Sequence, residues 1–250
     1  MIYEIAGLRV LLQHKHPYTE KFCARYLSSD QETAADVVAS AAEEDIAEER
    51  AQSPNFSEGY IENICLYRSL CLQIPQRNRL LLHASVLDFN GKGYAFLGRS
   101  GTGKSTHTKL WLQNVQNTFV VNGDKPILQE TAPHFIAYGT PWQGKEGWGA
   151  KTETALCGLC FLEQAKGNCI KKLTPSETAA RLFMQILIPS EEAAAVKTLE
   201  LVDNLIRKTP AYLLSCNISE EAVKTSFEAL TGLLYKDHQK VKEGKRKDED

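Results

Sequence analysis

Tyr94-Ala95-Phe96-Leu97-Gly98-Arg99-Ser100-Gly101-Thr102-Gly103-Lys104-Ser105 runs from an apolar stretch into a glycine-rich one. The second part has the spacing G-x-x-x-x-G-K-S. Glycines let such a segment curl until backbone N–H groups point inward at phosphate oxygens; the lysine reaches the terminal phosphates and the serine hydroxyl suits Mg²⁺. A helix opening at Lys104 adds its positive dipole end. The apolar residues before the motif predict a strand, and those from Lys104 to about Gln113 predict a helix, which is the context the motif needs. The segment reads as a phosphate-binding loop. Its nucleotide-binding residues are Gly98, Arg99, Ser100, Gly101, Thr102, Gly103, Lys104, Ser105 and Thr106.

Working outward, Asn90-Gly91-Lys92-Gly93 predicts a turn and Leu80 to Leu87 one strand run before it. Thr118 to Val121 predicts a strand, and the chain is mostly β from there to Tyr138. Ala155 to Leu162 and Ala211 to Cys216 predict further strands. Ser176 to Ile188, Ser190 to Leu205 and Ser219 to Leu234 predict helices. Ile2 to Gln13 predicts two short strands around Gly7. Asp30 to Arg50 holds eight carboxylates and one arginine, a solvated acidic helix face or edge strand. Ser57 is a candidate N-cap for a helix over Glu58 to Ile74, stopped by Pro75. Tyr60, Ile64, Tyr67 and Cys71 lie on one face of that helix and are expected in the core. The pattern predicts one domain over 1–235, with strands and a helix over 1–79 and a nucleotide-binding core over 80–235. Residues 236–250 carry six basic and five acidic residues and one apolar residue, Val241, and are expected to form a disordered tail.

With 250 residues, 43% hydrophobic and 24% charged, the chain is long enough to bury a core and is neither collagen-like nor a disulfide knot. A net charge of −2 excludes a global positive field for nucleic acid. No apolar run is long enough for a transmembrane helix, and the first residues lack a basic segment followed by an apolar one. Seven scattered cysteines are then expected as reduced thiols in the cytoplasm. Cys157-Gly158-Leu159-Cys160 sits in an apolar run without a partner pair at zinc spacing, so no metal or redox role is expected.

Phosphoryl transfer needs a carboxylate at the metal. Asp124 follows a predicted strand nineteen residues after Ser105 and can sit beside the loop; it can equally flank a turn at Asn122-Gly123. His83, taken alone, reads as a satisfied histidine on a strand. Gly139 to Lys151 is glycine-rich and is expected to be mobile. Within it Lys145 can stabilise charge on a transferring phosphoryl group and Glu146 can accept a proton. Trp142 can stack on a base or substrate, or tuck into the core.

Leu82-His83-Ala84-Ser85-Val86-Leu87-Asp88, then Gly98 to Ser105, then Val121-Asn122-Gly123-Asp124-Lys125-Pro126 resemble the HPr kinase/phosphorylase and phosphoenolpyruvate carboxykinase superfamily. The likeness covers about residues 80–126. It continues more loosely through Gly139 to Glu146 and Phe161 to Gln164, which look like compact HPr-kinase-related bacterial kinases. The first eighty residues share none of it. The resemblance implies an α/β fold, with a mainly β core sheet carrying the phosphate loop and flanked by helices. It implies ATP and Mg²⁺, with Ser105, Asp124 and His83 around the metal and Lys104 on the phosphates. In the family a first aspartate, the usual candidate base, precedes the metal-binding one; this chain has Gly123 there. Asp124 then does both jobs, or another carboxylate substitutes, or turnover is lost.

The expected activity is transfer of the ATP γ-phosphate to a hydroxyl, on Ser or Thr of a peptide or small protein or on a small-molecule alcohol. Rivals are an ATP-binding regulator without turnover, a kinase/phosphorylase using inorganic phosphate, and a carboxykinase-type reaction, for which the chain is short. The resemblance is also compatible with a homo-oligomer. Neither a nucleic acid nor a membrane partner is expected.

Overall fold

The computed structural model of the protein describes residues 1–241. The chain opens with β1 (Ile2–Ile5) and β2 (Leu8–Gln13), an antiparallel hairpin, followed by α1 (Pro17–Phe22). β3 (Val37–Ser40) adds parallel to β2 and completes a three-stranded sheet. α2 (Glu43–Gln52) and α3 (Glu58–Gln73) follow. The acidic stretch thus supplies both an edge strand and a helix. Ser57 caps α3 as its position predicts, with its Oγ accepting from the Tyr60 N–H.

The main sheet begins with β4 (Arg79–Leu81), β5 (Ala84–Phe89) and β6 (Lys92–Leu97), followed by α4 (Lys104–Asn114). β7 (Thr118–Asn122), β8 (Ile127–Glu130), β9 (Phe135–Tyr138) and the long β10 (Glu153–Gln164) come next. β11 (Cys169–Lys172), α5 (Pro175–Leu182), α6 (Glu192–Lys208), β12 (Ala211–Cys216) and α7 (Glu220–Thr231) complete the set. Nine strands pair in the order β4-β8-β9-β10-β6-β5-β7, with β12 and then β11 branching from the far half of β10. β10 runs parallel to β6 and β12, and the other pairs are antiparallel. The result is a mixed α/β architecture, a large central mixed sheet flanked by helices.

Continuous apolar strands signal a sheet covered on both faces. β6 shows why. Tyr94 and Phe96 pack with Trp111 of α4 and Phe227 of α7, while Ala95 and Leu97 pack with Leu182 of α5 and Leu201 of α6. Burying one such large side chain contributes about 1.5–3 kcal/mol. α4 is also pinned by polar groups. The Trp111 Nε1–H donates to Ser226 Oγ at 2.9 Å, and His107 Nε2 meets the same oxygen at 3.0 Å. Burial pushes the His107 imidazole down to about 4, so it is neutral near pH 7. A second cluster joins β1, β2 and α3 to Leu81, Ile127 and Trp142.

Several expectations need correction. The strand run over 80–87 is two strands. β4 pairs with β8 and β5 with β6 and β7, so the chain changes partners at Leu82 and His83. There Leu82 N–H donates to Pro126 O, His83 N–H to Gln185 O at 2.7 Å, and Ala84 N–H to Asp124 O. The helix expected over 176–188 ends at Leu182, where turns tighten and the Gln185 carbonyl is taken by His83. The α3 stripe is not core throughout. Cys71 is buried, but Tyr60, Ile64 and Tyr67 are half-buried, and the core-facing residues are Ile61, Cys65, Leu66 and Leu70. The first residues of the expected tail are packed: Gln116 N–H donates to His238 O, Lys240 N–H to Asn114 O, and the His238 ring packs on Phe89 and Phe227. The rest of the expected tail, 242–250, lies outside the described residues. Composition also missed α1 and β11, which are short and polar. Among the described residues no helix is long and apolar enough to cross a membrane.

Candidate active site

The carboxyl ends of the parallel strands β6, β10 and β12 lie side by side with β10 in the middle, the usual place for a ligand crevice in such sheets. The glycine-rich loop leaves β6 at Leu97 and enters α4 at Lys104. Gly103 precedes α4 in the left-handed region, φ 104°, a conformation that glycine adopts without strain. Lys104 is 9% exposed, and its Nζ donates to Gly98 O at 2.8 Å and more weakly to Arg99 O. The Thr102 hydroxyl also donates to Arg99 O. Gly98, Arg99 and Thr102 therefore shape the loop. Ser100, Gly101, Gly103, Lys104, Ser105 and Thr106 face a cleft of about 370 Å³.

The opposite wall of the cleft is His83, Gly123 and Asp124, and Gln143 to Glu146 close one side. All the candidate catalytic residues, His83, Lys104, Asp124, Lys145 and Glu146, thus share one cleft with Ser105. His83 Nε2 lies 3.2 Å from Asp124 Oδ1. Burial pushes the Asp124 carboxyl up. The His83 hydrogen bond and the charges of Lys125, His83 and Lys104 outweigh it and leave the carboxyl below its ordinary value. Burial pushes the Lys104 ammonium down, with Asp124 pulling it back up. Lys145 and Glu146 are exposed and make no ion pair among the described residues.

Asn122-Gly123 does not turn a hairpin, because β7 and β8 pair with other strands. Instead the Asn122 Oδ1 accepts from the Asp124 and Lys125 N–H groups at 2.9 and 2.7 Å, while its Nδ2 donates to Thr140 O and Oγ1. This fully buried asparagine aims Asp124 at the cleft. An asparagine two residues before the aspartate is the local signal for such a turn.

The Gly139–Lys151 segment is not a free flap. Gly123 N–H donates to Trp148 O, Ala150 N–H to Val121 O and Gly139 N–H to Thr152 O, stitching it to β7 and the start of β10. Its tip, Gly144 to Gly147, and its last residue, Lys151, are exposed, and the rest is buried or half-buried. Trp142 takes the core alternative, 8% exposed, with its Nε1–H donating to Asn63 Oδ1 and its ring on Tyr67. Lys151 pairs with Glu4.

Gly123 has a steric reason. A Cβ there would lie 3.0 Å from both Gln143 O and Trp148 O, so the stitched segment fills the space a side chain would need. Gly144, φ 72°, lies so close that a Cβ on it would meet the Asp124 Cβ at 2.9 Å.

A second cavity of about 370 Å³ lies on the far side of the loop. Thr102, Thr106, Leu110, Gln164, Asn217 and Ile218 line it. Among the described residues no group of three or more His, Cys, Asp or Glu side chains could hold a metal ion. Cys157 and Cys160 are free thiols.

No family model matches the chain, and a search of curated proteins finds no match. Among solved structures, the Hpr(Ser) kinase/phosphatase from Coxiella burnetii matches at a TM-score of 0.27 and 13% identity, covering 51% of this chain and 88% of that one. A likeness that slight transfers no role to any residue.

Proposed function

We propose that the chain is an ATP-dependent, Mg²⁺-requiring phosphotransferase acting on a hydroxyl. The observation that carries this reading is the single cleft shared by a phosphate-binding loop and an ionised carboxylate hydrogen-bonded to a histidine. The donor set fits magnesium: the Ser105 hydroxyl and the Asp124 carboxylate are hard oxygens, and Mg²⁺ favours one or two carboxylates completed by substrate phosphates. When bound, the ion would neutralise charge on the phosphates being separated.

Backbone N–H groups of the loop and Lys104 hold the phosphate chain, with its reacting end toward Asp124. The nucleoside end fits the second cavity, where Leu110 and Ile218 offer apolar surface and Gln164 and Asn217 offer amides. His83 orients Asp124, and together they take the proton from the acceptor hydroxyl. Lys145 and Glu146 at the exposed tip approach the same space. Positioning and electrostatics dominate phosphoryl transfer, so a single carboxylate–histidine pair suffices where the family has two aspartates.

The direct test is incubation with MgATP labelled at the γ-phosphate and a cell extract. Magnesium-dependent label in a phosphomonoester supports the reading. Tight nucleotide binding with no transfer to any component or to water supports a regulator without turnover.

Gly123 is the observation that favours that second reading, and its geometry decides what a revertant can show. In Gly123→Asp the new side chain meets two backbone oxygens. The expected result is a stability loss of about 1–3 kcal/mol by thermal or urea unfolding, with no gain in turnover. A gain in turnover at unchanged stability would mean that the Gln143–Trp148 segment yields and that a missing base limits the rate.

A further inference from the structure

A larger cavity, about 750 Å³, opens from the Asp124 side of the cleft and shares His83, Asp124, Gly144 and Lys145 with it. One wall is Tyr18 and Phe22 of α1 with Tyr60, Ile64 and Tyr67 of α3. The other is the irregular segment after α5, with Met184, Gln185 and Leu187. The half-buried stripe of α3 therefore faces this space. Its aromatic rings brace one another: Tyr18 stacks on Phe22 at 5.7 Å and meets Tyr60 edge-on at 5.8 Å.

Three features say what fits. The volume is within the range of small-molecule sites. Lys125 and Lys145 line the cavity at its Asp124 end; away from that end its charged members are Glu49 and Arg68, which bond to each other and leave the wall neutral. One wall residue, Gln185, also carries a buried oxygen without a hydrogen-bond partner, its Oε1. Gln185 is 5% exposed and its backbone carbonyl accepts from the His83 N–H, so the residue is anchored beside the candidate chemistry. A buried acceptor left unpaired costs about 1–3 kcal/mol, which the side chain recovers by turning its oxygen toward a donor in the cavity.

We infer that this cavity is the acceptor site and that the acceptor is an uncharged small-molecule alcohol with an aromatic or aliphatic body and a second hydrogen-bond donor. The inference rests on the phosphotransferase reading. It also gives residues 1–79 a task, since α1 and α3 build one wall. In the step, the acceptor O–H proton goes to the Asp124–His83 pair, the acceptor oxygen bonds the γ-phosphorus of ATP, the bond from that phosphorus to the β–γ bridging oxygen breaks, and ADP leaves.

The test uses 2-(4-hydroxyphenyl)ethanol, which has an aromatic body, a primary hydroxyl and a phenolic donor. Binding is followed by saturation-transfer NMR, with 2-phenylethanol and an uncharged seryl tetrapeptide as comparators. Nucleotide affinity is measured in parallel with a fluorescent ATP analogue. The expected result is saturable binding, several-fold weaker for 2-phenylethanol because the Gln185 oxygen stays unpaired. Affinity should fall about tenfold or more in Ile64→Trp, which fills the cavity, with nucleotide affinity kept. Met184→Trp, at an exposed position on the other wall, should act the same way should the first variant not fold. With MgATP, ³¹P NMR should show a new phosphomonoester of the probe.

No saturable binding of either alcohol by a chain that binds the nucleotide overturns the inference and leaves the phosphotransferase reading standing. Equal alcohol binding in wild type and both tryptophan variants, or binding of the peptide alone, also overturns it. Failure to bind nucleotide sinks the phosphotransferase reading instead, and the phosphoryl-acceptor role of the cavity with it.

Discussion

Lys104→Ala is expected to remove turnover and weaken nucleotide binding while leaving the fold in place. The ammonium is nearly buried and faces the cleft through the loop, with Gly98 O as its close partner. Preorganised charge in such a site is worth far more than in water. Losing one such donor lowers turnover by about 10²–10³-fold, about 3–4 kcal/mol. The fold loses little, because a modest hydrogen bond is offset by release of a desolvated cation. Lys104→Arg should fail as well, since a planar fork does not fit where a point charge on a flexible stem lies against the loop backbone. Turnover assays and titration of a fluorescent ATP analogue, alongside thermal unfolding, read all three expectations. Normal turnover with an unchanged dissociation constant would end the phosphate-loop reading.

What could be read from the residues alone follows from how local each feature is. The glycine-rich loop depends on one curl of backbone and on residues within one turn, so its placement between a strand and a helix was legible from the motif. The central strands β6 and β10 were legible because they are apolar on both faces. Features that depend on distant partners were not. Gly123 is a glycine because of Gln143 and Trp148, twenty and twenty-five residues later, and nothing in Asn122-Gly123 itself says so. Leu80 to Leu87 reads as one strand because periodicity has no term for a change of partner at His83. The α3 stripe has the same spacing whether it faces a core or a cavity, so the period could not tell Tyr60 and Ile64 from Ile61 and Cys65. His238 packs on Phe89 and Phe227 inside a charged segment whose composition argues for no packing at all.

Asp124→Asn tests the other half of the cleft, and it couples back to the loop. The substitution keeps the backbone turn, since the Asn122 side chain holds residue 124 by its N–H and Ala84 holds its carbonyl. What goes is the charge. Loss of the metal-binding oxygen and proton acceptor should lower transfer by about 10²–10⁴-fold. The pH behaviour gives the mutation a second signature. Asp124 has a folded pKa below its ordinary 3.8. Its contribution to stability is therefore complete above that value and is lost as pH falls below it. In Asp124→Asn that part of the acid destabilisation disappears from urea unfolding curves. Lys104 responds in the opposite pH range. Burial already pushes its ammonium down, and Asp124 is the charge that pulls it up. With that charge removed, Lys104 should lose its proton at lower pH than in the wild type, so the alkaline fall-off of nucleotide binding should move toward neutrality. An alkaline limb that stays in place would mean that Asp124 and Lys104 do not act on one phosphate chain, and the shared cleft would lose its functional meaning even if each residue mattered separately.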